Sequence, residues 1–141
     1  MARLKAAAVA RAHPDAVVLG ADSVVAVGDV ILGKPRDVAD AKRMLGLLSG
    51  RVHQVVTGCA LFGLAAEPEV FTVSTDVHMI PLSEDAIAAY VATGEPMDKA
   101  GAYAIQGKAA AFITEIHGSY TNVVGLPLAE VAALLRANMR P

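Results

Sequence analysis

The chain has 141 residues, one domain's worth, of which 55% are hydrophobic and only 4% aromatic, so its core must be built from Ala, Val, Leu and Ile. Twelve Lys and Arg against fourteen Asp and Glu leave a formal net charge of -2 with no basic run, which argues against a nucleic-acid binder. One cysteine precludes an internal disulfide, and no apolar run approaches the ~20 residues of a membrane span.

Ala2 to Ala12 is rich in Ala, Leu, Arg and Lys and reads as a helix ended by the His13-Pro14 step. Arg3 and Lys5 faintly imitate a targeting segment, but the apolar stretch Ala6 to Ala10 is short for a signal, so the expected compartment is cytoplasmic. Ala16 to Gly20 is a continuous apolar run, the pattern of a strand buried on both faces, with Asp22 at its end. Val24 to Val27, Gly28-Asp29 and Val30 to Leu32 form a hairpin pattern with a two-residue turn. Asp37 then caps a helix running to about Leu48, whose apolar face is Val38, Ala41, Met44, Leu45 and Leu48.

Val52 to Phe62 reads as a strand of mixed burial around Cys59, which between Gly58 and Ala60 behaves as a small buried hydrophobe. From Phe71 to Met79 apolar and polar residues alternate with period two, the clearest strand of the chain. Ser83 with Glu84 and Asp85 opens another helix, ended at Gly94. Residues 95–110 are a Gly-punctuated loop, Ala111 to Ile116 a strand, and Pro127 starts a last helix carrying Leu128, Val131, Leu134 and Leu135. This order predicts an α/β fold, a mixed sheet with flanking helices.

Several chemistries are unsupported. Gly101 to Lys108 has one residue too many for a phosphate-cradling P-loop, and Ala109 replaces its hydroxyl residue. His13, His53, His78 and His117 are scattered, with no i,i+4 pair and no cysteine partners, so each reads as a surface or sheet-face residue rather than a zinc ligand. What remains is charge at element ends. Asp22 is placed to hold Mg²⁺ or Mn²⁺ or to activate water, although its position alone favours a plain turn or strand-end residue. Lys34, between Gly33 and Pro35, suits a phosphate, although local sequence alone favours an exposed loop lysine. Asp98-Lys99 and Gln106 lie in the long loop, where binding groups often sit, and the Gln106 amide is able to read a base edge.

Three stretches together resemble the Maf family of nucleoside triphosphate pyrophosphatases. The first is Val18-Leu19-Gly20-Ala21-Asp22-Ser23-Val24-Val25, followed by Ile31-Leu32-Gly33-Lys34-Pro35-Arg36-Asp37. The second runs from Gly94 through Asp98-Lys99-Ala100-Gly101-Ala102-Tyr103 to Gln106-Gly107, and the third is Gly118-Ser119-Tyr120-Thr121-Asn122-Val123-Val124-Gly125-Leu126-Pro127-Leu128. The resemblance implies two lobes around a cleft in a Maf/ITPase-like fold, a homodimer, and metal-dependent attack of water on a triphosphate. Asp22 matches the family's catalytic or metal-linked carboxylate. Lys5, Lys34 and Gln106 match substrate-contacting positions, and Asp98 and Lys99 belong to the second motif. Ala21-Asp22-Ser23 with Asp98 to Tyr103 is similar to the branch that prefers dTTP and UTP, and the divalent cation implied is Mg²⁺ or Mn²⁺.

Members of the family begin with a strand and turn carrying S-x-S-P-R-R, then a helix and a glutamate, before the lysine matched by Lys5. These 141 residues contain none of that, so the single domain, 1–141, is expected to be incomplete at its N-terminus and to be a weak catalyst in isolation. The alternative is an impaired remnant acting as a nucleotide-binding or septum-related regulatory protein.

Overall fold

A computed structural model describes residues 2–138. Helix α1 (Ala2–Ala12) precedes strand β1 (Val18–Val27), which turns through Gly28-Asp29 into the short β2 (Val30–Leu32). Helix α2 (Val38–Leu48) leads to a long hairpin of β3 (Val52–Phe62) and β4 (Glu69–Met79). Helix α3 (Glu84–Ala92) is followed by three 3-10 turns at Glu95–Asp98, Ala100–Ala102 and Lys108–Phe112, then β5 (Ile113–His117), α4 (Tyr120–Val124) and α5 (Leu128–Asn138).

The caps act where the sequence places them. The Asp37 side chain accepts from the Asp40 N–H at 2.8 Å, and the Ser83 hydroxyl accepts from the Ala86 N–H at 3.0 Å. Both satisfy a donor that the first helical turn leaves orphaned.

The five strands form one open sheet in the order β2-β1-β3-β4-β5, with helices on its faces, and the α/β expectation holds. The mixed sheet does not: among the described residues all four strand pairings are antiparallel. The reason lies in the Gly28 turn, φ 55, which reverses the chain before the α2 crossover. The crossover therefore brings β3 in parallel to β2, but on the far side of β1, so the two never pair.

A second correction concerns Ala16 to Gly20. The strand starts at Val18 and continues unbroken through Asp22 to Val27, and Val17 and Leu19 remain about 40% exposed, so the run is not buried on both faces. Asp22 is thus a mid-strand residue, opposite Gly58 of β3, rather than a residue beyond a strand end. Ser23 and Thr57, the next pair, join hydroxyls at 2.8 Å across the same ladder.

Alternation along the strands divides the sheet into two unequal faces. Val25, Val27, Val55 and Val77 point into the main core with Met44, Leu45 and Leu48 of α2 and Ile87, Tyr90 and Val91 of α3. On the opposite face α1 seals only one corner, packing Ala6 on Val18 and Ala60. That approach requires Gly20: a Cβ there would lie 2.5 Å from the Ala2 carbonyl oxygen and 2.7 Å from the Ala6 Cβ. Cys59 is fully buried, as a small hydrophobe should be, and burial pushes its thiol pKa up.

Candidate functional site

The segment between α3 and β5 returns over the core face of the sheet and is tied down at several points. The Gly101 N–H donates to the Gly33 carbonyl at 3.0 Å, fastening this loop to the turn that carries Lys34. The Tyr90 hydroxyl accepts from the Ala104 N–H at 3.1 Å, and Glu95 Oε1 accepts from the Lys108 N–H at 3.1 Å. The Tyr90 hydroxyl that Glu95 faces, with the N–H groups of Lys108 and Ala109, holds the Glu95 carboxyl below its usual range. Gly101 and Ala102 are both left-handed, φ 73 and 63, and Ala102 is fully buried.

From the other side α4 is fixed by Asn122, which is fully buried. Its Nδ2 lies 3.0 Å from the carbonyl oxygens of Val55 and Val73 and from the Thr75 hydroxyl. The Thr57 hydroxyl donates to the Asn122 carbonyl at 3.4 Å. One side chain thus bolts the short helix to β3 and β4.

Between these supports lies a cavity of about 110 Å³. Ser23, Val25 and Val55 form its sheet wall; Lys99, Tyr103 and Gln106 are on the loop wall, and Val123 to Gly125 close it. Each of the three widely separated sequence motifs therefore contributes residues to one cavity.

The predicted site residues divide into groups. Lys99 and Gln106 line the cavity, although the Lys99 ammonium is also 3.8 Å from Asp98, whose side chain is exposed. Lys5 and Asp22 meet on the α1 face, Nζ to Oδ1 3.6 Å, both partly exposed. Neither lines the cavity, because strand alternation turns Asp22 away from its neighbour Ser23. Lys34 is exposed, and among the described residues it makes no ion pair. The backbone bond from Gly101 to Gly33 links its turn to the cavity loop.

Sequence reading missed Tyr103 and His53 as parts of this region. His53 is fully buried, its Nε2 lies 2.6 Å from the Tyr103 hydroxyl, and its Nδ1 has no partner. The available signal was its place opposite Val77 on the apolar side of two alternating strands. Burial lowers the His53 pKa from 6.5 to about 4 and raises that of Tyr103. The unfolded chain then binds more protons between these values, so stability rises with pH across that window. We expect full stability above about pH 6.5 and a loss of about 3 kcal/mol from this group as pH falls through 4. Urea melts from pH 7 to 4 of the parent chain and of His53→Gln check this: the variant should lose much of the slope between pH 6.5 and 4.

Comparison with known proteins fits this arrangement. The family model described as Maf-like protein matches residues 1–138, and the chain belongs to that family. It is 55% identical over 135 residues to a dTTP/UTP pyrophosphatase of Symbiobacterium thermophilum, covering 96% of this chain and 69% of that protein. A dTTP/UTP pyrophosphatase of Sphingopyxis alaskensis is 56% identical over 135 residues, 96% of this chain and 70% of its own length. One from Bacillus cytotoxicus is 50% identical over 137 residues, 96% of this chain and 71% of its own. No helix among the described residues is long and apolar enough to cross a membrane.

Proposed function

We propose that the protein carrying this chain is a nucleoside triphosphate pyrophosphatase that hydrolyses dTTP and UTP to the monophosphate and pyrophosphate. The observation that carries the reading is that all three motifs supply walls of one cavity, in a chain about half identical to enzymes named for that activity. At about 110 Å³ the cavity is smaller than the ~300–1,000 Å³ of a complete small-molecule site, so it takes one part of a nucleotide. The base is the part that suits it. Val25, Val55 and Val123 offer apolar contact to a pyrimidine face, and the Gln106 amide offers one donor and one acceptor edge. Among the described residues β2 pairs only Val25 to Val27 of β1, so the triphosphate extends outward over the β1 edge toward Lys5 on the other face. Lys34 and Lys99 supply further positive charge on a weakly acidic protein.

Asp22 is the carboxylate assigned to the reacting water. Its partly exposed side chain, with one oxygen toward Lys5, fits a divalent cation held by a single carboxylate with substrate phosphates and water filling the other positions. Bound Mg²⁺ or Mn²⁺ would supply neutralisation of phosphate charge and polarisation of the attacked phosphorus. Asp22 itself orients water and accepts its proton, and Lys5 turns the carboxylate to one side. A cytoplasmic homodimer of this single domain goes with the same reading.

The test is pyrophosphate release from dTTP and UTP with Mg²⁺ or Mn²⁺, set against dATP and GTP. Release from all four at equal rates would remove the pyrimidine assignment, and release from none by the whole protein carrying this chain would remove the activity. In the same assay Lys34→Ala is expected to lower kcat/KM more than Lys99→Ala, since Asp98 already offsets the Lys99 charge. The reverse order would reassign the triphosphate to the cavity loop.

A further inference from the structure

On the sheet face opposite the cavity, the pairing of β4 with β5 assembles a group drawn from two separate stretches of sequence. His78 stands opposite Glu115, and Asp76 opposite His117, so alternation puts all four on one face of the ladder. His117 Nε2 lies 2.7 Å from Glu115 Oε1, and His78 Nδ1 lies 3.9 Å from Glu115 Oε2. One ligand atom from each of His78, Glu115 and His117 falls within 4.8 Å of the others, and the two imidazoles are 5.2 Å apart at their centroids. Asp76 is engaged by the Gln54 amide at 3.2 Å and forms the neighbouring corner.

We propose that His78, Glu115 and His117 bind a borderline divalent cation, Zn²⁺ by preference, which clips the edge strand β5 to β4. Tetrahedral zinc with bonds of ~2.0–2.1 Å places its donors roughly 3.3 Å apart. His117 lies 2.7 Å from one Glu115 oxygen and His78 3.9 Å from the other, and one donor from each residue falls within 4.8 Å of the rest. Rotation of these partly exposed side chains draws the three donors into a ligating arrangement. Two imidazoles select Zn²⁺ over Mg²⁺, which takes oxygen ligands, and water completes the coordination. The side chains are accessible, from 34% exposed for His78 to 59% for His117, so a cation reaches them without opening the fold. β5 occupies the sheet margin, and its pairing with β4 is interrupted between His78 and Met79. A cation held by both strands reinforces the ladder at that irregularity.

His78 lies two strands and six residues along the ladder from Asp22, which faces Gly58 and, beyond it, Thr72. Its occupancy is therefore separable from any catalytic cation. The test uses the chain dialysed against EDTA, titrated calorimetrically with Zn²⁺, and loaded with Co²⁺ as a visible-absorption probe. One Zn²⁺ per chain is expected, with a rise in Tm, and with affinity at least about tenfold weaker in His78→Ala and in His117→Ala. Asp22→Asn should leave the Zn²⁺ affinity and the Co²⁺ bands unchanged, and Mg²⁺ should not displace either ion. Circular dichroism of the variants separates a lost ligand from a lost fold, and Glu115→Gln, the mildest replacement, must weaken binding in a folded protein. The proposal is overturned by absence of Zn²⁺ binding, by binding that survives both histidine replacements, or by binding that disappears with Asp22.

Discussion

Asp22→Asn is expected to lower kcat for pyrophosphate release by about 10²–10⁴-fold while leaving the fold intact. Asn has the same shape but neither accepts the proton of the attacking water nor neutralises a divalent cation. The structure makes the two effects separable. Asp22 sits opposite Gly58, so the side chain is not packed against a cross-strand neighbour, and its ion pair with Lys5 is partly exposed at 3.6 Å. Such a pair contributes roughly 0–1 kcal/mol to folding, so the thermal midpoint should hardly change. Steady-state kinetics with dTTP at saturating Mn²⁺, beside a thermal melt, give the answer. Turnover close to that of the parent would remove Asp22 from the reaction, whatever the melt shows.

Sequence alone made most elements legible where local chemistry dictates them. Asp37 and Ser83 announce helix starts, because a short oxygen-bearing side chain satisfies an orphan N–H. The alternation from Phe71 to Met79 announces β4, because one face is buried and the other is not. The failures have a common cause in register and crossover, which no local pattern encodes. The run Ala16 to Gly20 looked like a doubly buried strand, yet only one face of β1 meets the main core, and Asp22 became a mid-strand residue. The short helix α4 was missed because its five residues carry too little periodicity; what holds it is Asn122, whose acceptors lie on two different strands. The candidate site was legible as three motifs, and their convergence was not. His78 and His117 looked like isolated surface residues for the same reason: only the β4–β5 pairing makes them neighbours.

Gly101→Ala should be strongly damaging to the cavity loop, destabilising the chain by about 2–5 kcal/mol. Two costs combine. The residue has φ 73, a left-handed conformation that disfavours any Cβ by roughly 1–2 kcal/mol. The added Cβ would also stand 2.7 Å from Val25 Cγ2 and 3.1 Å from its Cβ. Val25 is buried in the main core and is β-branched, so its side chain has little freedom to turn aside, and overpacking of this kind costs about 1–3 kcal/mol. Ala102, next in the chain and also left-handed at φ 63, is fully buried and leaves the backbone no slack on that side. Relief must therefore come from lifting the loop, which breaks the Gly101 to Gly33 hydrogen bond and moves Lys99 and Gln106 away from Ser23. Two readouts follow: a Tm lower by roughly 6–15 °C, at about 3 °C per kcal/mol for a chain of this size, and a KM for dTTP that rises. Gly33→Ala is the control, since a Cβ there meets nothing within 4 Å while the same hydrogen bond is retained. If Gly101→Ala melts with Gly33→Ala and binds dTTP as the parent does, the loop is not held against Val25 and the cavity is not where the base is read.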